Sequence, residues 1–294
     1  MPCQGALDAS KFTQLDSRFP SATAVIVSRA PRPALQAFVE LFWASDGGDS
    51  VHLRHGRERI LPKGAAHVAI RLTDEPLRFF HDEADTVGHT MRGGIVGDVR
   101  TGPYIKGSSA PTPIVGVQFR PGAATLFLGA PARLFAETHL PLEDLWGNAA
   151  AEACARLCDA RGLAQRIDVL EAILAARLPR LRGIHPATAA ALIHLEGPGS
   201  VRDLAERSGY SHRHFARLFT DTVGLNPKMY GRVTRFGRVL KRLSVHPAAP
   251  WADLAASTGY ADQPHFNREF REFSGLSPGE YRRRAVASPY HVPL

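Results

Sequence analysis

LAERSGYSHRHFARLF, residues 204–219, and LAASTGYADQPHFNREF, residues 254–270, are two versions of one segment. Leu204, Ala205, Gly209 and Tyr210 return fifty positions later as Leu254, Ala255, Gly259 and Tyr260. Beyond the turn the offset grows by one, and Phe215, Phe219, Gly224, Leu225, Pro227 and Tyr230 return as Phe266, Phe270, Gly275, Leu276, Pro278 and Tyr281. A unit of this length present twice is too short for a solenoid and reads as a duplicated supersecondary motif.

Each copy reads as helix, tight turn, helix. Ser200 followed by Asp203 is a capping-box start, and Val201, Leu204 and Ala205 form one buried stripe. Gly209 ends that helix because glycine adopts the left-handed conformation that closes a last turn, with Tyr210 folding back on the cap. Ser211 caps a second helix whose Phe215, Leu218 and Phe219 face inward. The second copy has Asp262 as cap, Pro264 in the tolerated first turn, and Phe266, Phe270 and Phe273 inward. Two short helices joined this way make a helix-turn-helix.

The inward stripes leave His212, Arg213, Ala216 and Arg217 outward in the first copy, and Gln263, Pro264, His265, Asn267, Arg268 and Arg271 in the second. Arg suits the edge of guanine, and Asn or Gln that of adenine, when such a helix lies in a major groove. Between the copies, Asn226 caps and Pro227 begins a helix of about twenty residues. At 1.5 Å per residue it is a rod of roughly 30 Å, close to the ~34 Å pitch of B-form DNA. Its Lys228, Arg232, Arg235, Arg238, Lys241 and Arg242 are expected near phosphates. Arg282 and Arg283 in YRRR, residues 281–284, read equally as phosphate contacts or as cations completing a helix end.

These residues resemble a known family. GYSxxxFxRxF in the first copy, GYxDQxxFxRxF in the second and the closing FSGLSPGEYR are similar to the DNA-binding domain of AraC-type transcriptional regulators, over residues 186 to about 285. The resemblance implies that both second helices enter major grooves, with Arg213 and Arg217 in one and Gln263, Pro264, His265 and Arg268 in the other. Pro264 stands where the family commonly has Ser or Gln, and Ala216 also lacks a polar group. The chain carries 36 Lys+Arg against 28 Asp+Glu. Residues 186–294 hold 15 of those bases and 9 of the acids, so six of the eight net positive charges accompany the duplicated motif, as phosphate attraction requires.

Composition is that of a water-soluble globular protein, with 44% hydrophobic and 22% charged residues. No apolar run has membrane-spanning length and the N-terminus lacks a signal peptide's apolar segment, so the expected location is the cytoplasm, with no membrane partner. Three cysteines fit a reducing compartment, and Cys154 and Cys158, one turn apart, read as buried helix residues.

The first half reads differently. TAVIVS, RIL, HVAIRL, LRFF, GGIVGDV and IVGVQF are β-prone runs punctuated by Pro, Gly and Asp, with a short helix expected at PALQAFVELFW. Helical periodicity takes over from residue 131. The expected fold is α+β: a β-rich, cupin-like sensor or dimerisation domain over 1–130, a helical connector over 131–185, and an all-α domain over 186–294 with two helix-turn-helix units. ERILPKGAAHVAIRL, GGIVGDV, GVQFRPGAATLFLGAP and LPLEDLW resemble an uncharacterised domain that often precedes AraC-type DNA-binding domains. That pattern usually has Asp where this chain has Lys63. His52, His55, Glu58, His67, His81 and His89 raise a metal site, but the His-x-His spacing of cupin enzymes is missing and surface or hydrogen-bonded histidines are preferred. Phe42, Trp43, Phe79 and Phe80 read as core. The expectation is a non-enzymatic, effector-responsive regulator without cofactor or metal, binding double-stranded DNA. RNA polymerase, a second copy of the chain and an unidentified small molecule are further candidate partners. The alternative is a cupin-type metal-binding sensor or enzyme fused to a DNA-binding domain.

Overall fold

The computed structural model describes residues 25–47, 56–97, 99–108, 112–178, 183–195, 201–284 and 288–294. Two antiparallel sheets face each other in the first half. One has the order β1 (Ile26–Arg29), β2 (Val39–Ser45), β9 (Ile114–Phe119), β4 (His67–Arg71), β7 (Gly94–Gly97) and β10 (Leu140–Pro141). The other runs β11 (His291–Pro293), β3 (Arg57–Ile60), β8 (Tyr104–Ser108), β5 (Leu77–Phe80) and β6 (His89–Met91). Helices α1 (Ala124–Leu128), α2 (Glu143–Trp146), α3 (Asn148–Asp159) and α4 (Leu163–Ala175) follow.

Period-two alternation gives the first sheet two different faces. Val68, Ile70, Val115, Val117 and Phe119 belong to one hydrophobic core with Ile167, Leu170, Ile173 and Leu174 of α4. The intervening His67, Ala69, Arg71, Ile114 and Gln118 line a cavity of about 410 Å³ between the sheets. Glu171 fixes α4 to the first strand: it accepts from Arg29 Nη2 and from the Arg32 backbone N–H, both at 2.6 Å. Its carboxylate is almost wholly buried, and the two donors offset the cost of that burial.

The second half is helical: α5 (Pro186–Leu195), α6 (Val201–Ser208), α7 (His212–Val223), α8 (Pro227–Val245), α9 (Trp251–Thr258), α10 (Gln263–Ser274) and α11 (Pro278–Arg284). α8 buries Tyr230, Val233, Phe236, Leu240 and Leu243, the spacing of one helix face, and Phe236 meets Phe270 edge-on at 5.3 Å. Each fully buried phenylalanine of this cluster contributes about 1.5–3 kcal/mol. No described helix is both long and apolar enough to cross a membrane.

Three expectations are corrected. PALQAFVELFW is not a helix: Pro33–Leu35 make one 3-10 turn and Val39–Ser45 form β2, because Val39, Phe42 and Ala44 pack in a sheet with both faces covered. Cys154 is half-buried and Cys158 exposed, since Ala153 and Leu157 take the inward positions of α3. The boundary at 186–294 also fails at its end. β11, in the last residues of the chain, pairs antiparallel with β3, placing His291 opposite Ile60 and Pro293 opposite Glu58. Val292 is fully buried there. Ser200, Cys3, His52 and His55 lie outside the described residues.

Replacing Val292 with Ala is expected to destabilise the protein by about 1–3 kcal/mol, seen as a lower denaturant midpoint. An unchanged midpoint would show that the tail strand is not held in the sheet.

Candidate nucleic-acid interface

Local capping chemistry builds both second helices. Ser211 Oγ accepts from His214 N at 3.3 Å, and Asp262 Oδ1 accepts from His265 N at 2.6 Å. Asn226 Oδ1 does the same for Met229 N at 2.9 Å, starting α8. Gly209 and Gly259 both occupy the left-handed region the turns require. The repeat persists in burial: Phe215 and Phe266, Phe219 and Phe270, Leu225 and Leu276, and Tyr230 and Tyr281 are matched buried pairs. Tyr210 breaks the symmetry. It is exposed, with its ring on His214, whereas Tyr260 is buried.

His212, Arg213 and Arg217 are exposed on α7, and Gln263, Pro264, Asn267 and Arg268 are exposed on α10. His265 is half-buried, its Nε2 3.7 Å from the Glu269 carboxylate. Arg271 and Arg283 are exposed. Arg232 and Arg235 are engaged within the protein. Arg232 Nε lies 2.8 Å and Arg235 Nη2 2.9 Å from Glu269 Oε2, and Arg232 also pairs with Glu272 at 2.5 Å. A carboxylate only 2% exposed needs cationic partners, and the rod supplies them. Arg282 is likewise turned in, stacked 3.7 Å over the Trp251 ring and donating to the Ala249 carbonyl.

The far ends of both helices meet the first half. Gly224, the left-handed cap of α7, is packed so closely that a Cβ would sit 3.3 Å from Val99 and 3.5 Å from Ala132. Arg133 pairs with Asp221 at 2.7 Å. Gly275, the equivalent cap of α10, lies against Arg59, whose Nη1 donates to Ser274 O at 2.9 Å. Arg59 also pairs with Glu83.

The chain matches a helix-turn-helix domain family over residues 204–284 and a domain of unknown function (DUF6597) over residues 28–141. It is 30% identical over 103 residues to the multiple antibiotic resistance protein MarA of Salmonella typhimurium, covering 34% of this chain and 80% of that one. The chain belongs to the AraC-type family of helix-turn-helix transcriptional regulators. It is 35% identical over 106 residues to the transcriptional activator RclR of Escherichia coli, covering 34% of this chain and 37% of that protein. Against its longer AraC-type relatives the chain therefore spans little more than a third of their length. Its backbone is similar to that of ToxT from Vibrio cholerae over 90% of this chain and 98% of the other, at 9% identity and a TM-score of 0.45.

Glu269 was the residue sequence reading passed over in this AraC-type domain. Its signal was present: it falls among Phe266, Phe270 and Phe273, an acid inside an apolar stripe. Burial pushes its carboxyl up, but hydrogen bonds from Arg235 and Arg232 outweigh that and hold it below its ordinary 4.5. A depressed carboxyl stabilises the fold above its unfolded value and loses that contribution as pH falls through the folded value. The stability advantage of the native protein over Glu269→Gln should therefore shrink as pH falls from about 6 to about 3, measured by denaturant melts. An advantage independent of pH would show that the ion pairs contribute nothing.

Proposed function

We propose that this protein is a sequence-specific DNA-binding transcriptional regulator without catalytic activity, acting in the cytoplasm, in which α7 and α10 enter successive major grooves of one duplex. The observation that carries this reading is the duplication itself: two equally capped helices with exposed polar faces, joined by the 19-residue α8. At 1.5 Å per residue α8 spans roughly 28 Å, near the ~34 Å groove repeat.

His212, Arg213 and Arg217 on one helix, and Gln263, Asn267 and Arg268 on the other, are the base-reading candidates. Pro264 offers only apolar contact, and His265 reaches a base only by leaving Glu269. Arg271 and Arg283 remain as phosphate contacts. The β-rich domain, residues 1–130, acts as the sensor, with an effector in the cavity between the sheets, and a second copy of the chain and RNA polymerase are the protein partners of this reading.

The test is selection of genomic fragments by the purified protein at physiological salt, since low salt mainly reports phosphate attraction. Two short sequence blocks about one helical turn apart are expected. Arg213→Ala and Arg268→Ala should each cost about 1–3 kcal/mol and relax one base position, whereas Arg271→Ala should weaken all sequences alike and lower the salt slope by about 1. Uniform losses from all three would overturn the reading.

A further inference from the structure

The cavity between the sheets has an uneven charge. Among the described residues lining it, Arg57, Lys63, Arg71, Arg100 and Lys106 are cationic and Glu58 alone is acidic. Glu58 is already engaged by Lys106 Nζ at 2.8 Å and by His291 Nδ1 at 2.9 Å. Among the described residues Arg71 donates to Thr112 Oγ1 at 2.7 Å and Glu75 O at 3.1 Å and forms no ion pair, although the Glu75 charge acts on it from further away. Lys63 has no carboxylate within ion-pairing distance among the described residues, and its Nζ lies 5.3 Å from the Tyr290 ring centroid.

Lys63 has a large accessible area, yet burial, and next the charge of Lys106, pull its ammonium below the ordinary value. Both hold when the area it exposes lines the cavity between the sheets. The neighbouring imidazoles register the same positive field. His67 is pushed down to about 3 by burial and then by Lys63 and Lys106. His139, stacked 4.0 Å from Phe79, is pushed down to about 2 by burial and then by Arg100. Cations gathered round a single lining carboxylate are costly to keep from water, and an anion offsets that cost.

The rest of the lining restricts the anion. Trp43, Phe79, Ile95 and Tyr104 present apolar and aromatic surface, which an inorganic ion would leave unfilled. Glu58 beside Lys63 and Lys106 repels a second negative charge, so a monoanion fits better than a dianion. We propose that this cavity binds a small organic carboxylate, its anionic end on Lys63 and Lys106 and its apolar body against Trp43, Phe79 and Tyr104. His291, on the tail that follows the second helix-turn-helix, lines the site, and the neighbouring Tyr290 ring lies 5.3 Å from the Lys63 Nζ. Any effect on DNA rests on the regulator reading above; the binding itself does not.

The experiment titrates full-length protein, without DNA, with naphthoate and octanoate, and with naphthamide and naphthyl phosphate as neutral and dianionic counterparts, by calorimetry. At least one carboxylate should saturate one site per chain. Naphthamide and naphthyl phosphate should both bind more weakly than naphthoate, the amide by about tenfold or more. Lys63→Met, with an unchanged melting profile, should lose about tenfold or more for the carboxylate, and Lys63→Arg should retain most of the affinity. No saturable binding of either carboxylate, equal binding of the amide, tighter binding of the phosphate, or unchanged binding by Lys63→Met would each overturn the proposal. Fragment selection by the ligand-free protein tests the DNA reading separately, so the two failures are distinguishable.

Discussion

A β-strand turns alternate side chains to opposite faces, and β3 directs its two faces to two different parts of the molecule. Glu58 points into the cavity, where it holds Lys106 and His291. Arg59, one residue on, points the other way and donates to the last turn of α10. Arg59 itself lies opposite the buried Val292 of the tail strand. Four residues of strand thus join the cavity wall, the end of α10 and the C-terminus, and no one-residue change of register preserves all three.

The duplication gives this joint a counterpart. Gly224 and Gly275 are the same position of the repeat, and both caps press on the first half of the chain. Each of α7 and α10 is therefore held at its C-terminal end, leaving the N-terminal turn with Arg213 or Gln263 exposed. That end carries the positive pole of the helix dipole, which favours an anion. The orientation that packs the caps inward is the one that turns this pole outward.

How much of this was legible depended on the range of the forces. The helix-turn-helix units rest on caps, turn glycines and phenylalanines within a dozen residues of one another, and both were readable from the sequence. So were most strands of the first half, through their β-branched runs. β2 was misread because VELFWAS is apolar on both faces, a pattern that burial in a sheet and burial in a helix share. β11 was invisible, since HVP has no strand signal of its own and pairs with residues more than two hundred positions away. The inward turn of Arg232 and Arg235 was equally hidden: a cation on a polar helix face looks the same whether phosphate or a distant Glu269 awaits it. The cavity was legible only as scattered residues, Lys63 and His67 among them, that the two sheets bring together.

α7 and the second helix-turn-helix meet the first half of the chain in different ways. α7 is held by contact of its cap with Val99, Ala132 and Ala136 and by an Arg133–Asp221 pair whose side chains are 56% and 38% exposed. Such a surface pair contributes at most about 1 kcal/mol. The second unit is tied twice: directly by Arg59, only 10% exposed at its side chain, and through the tail, whose Val292 sits in the sheet core and whose Pro289 carbonyl accepts from Tyr281 at 2.7 Å. Both ties end on β3, the strand that carries Glu58.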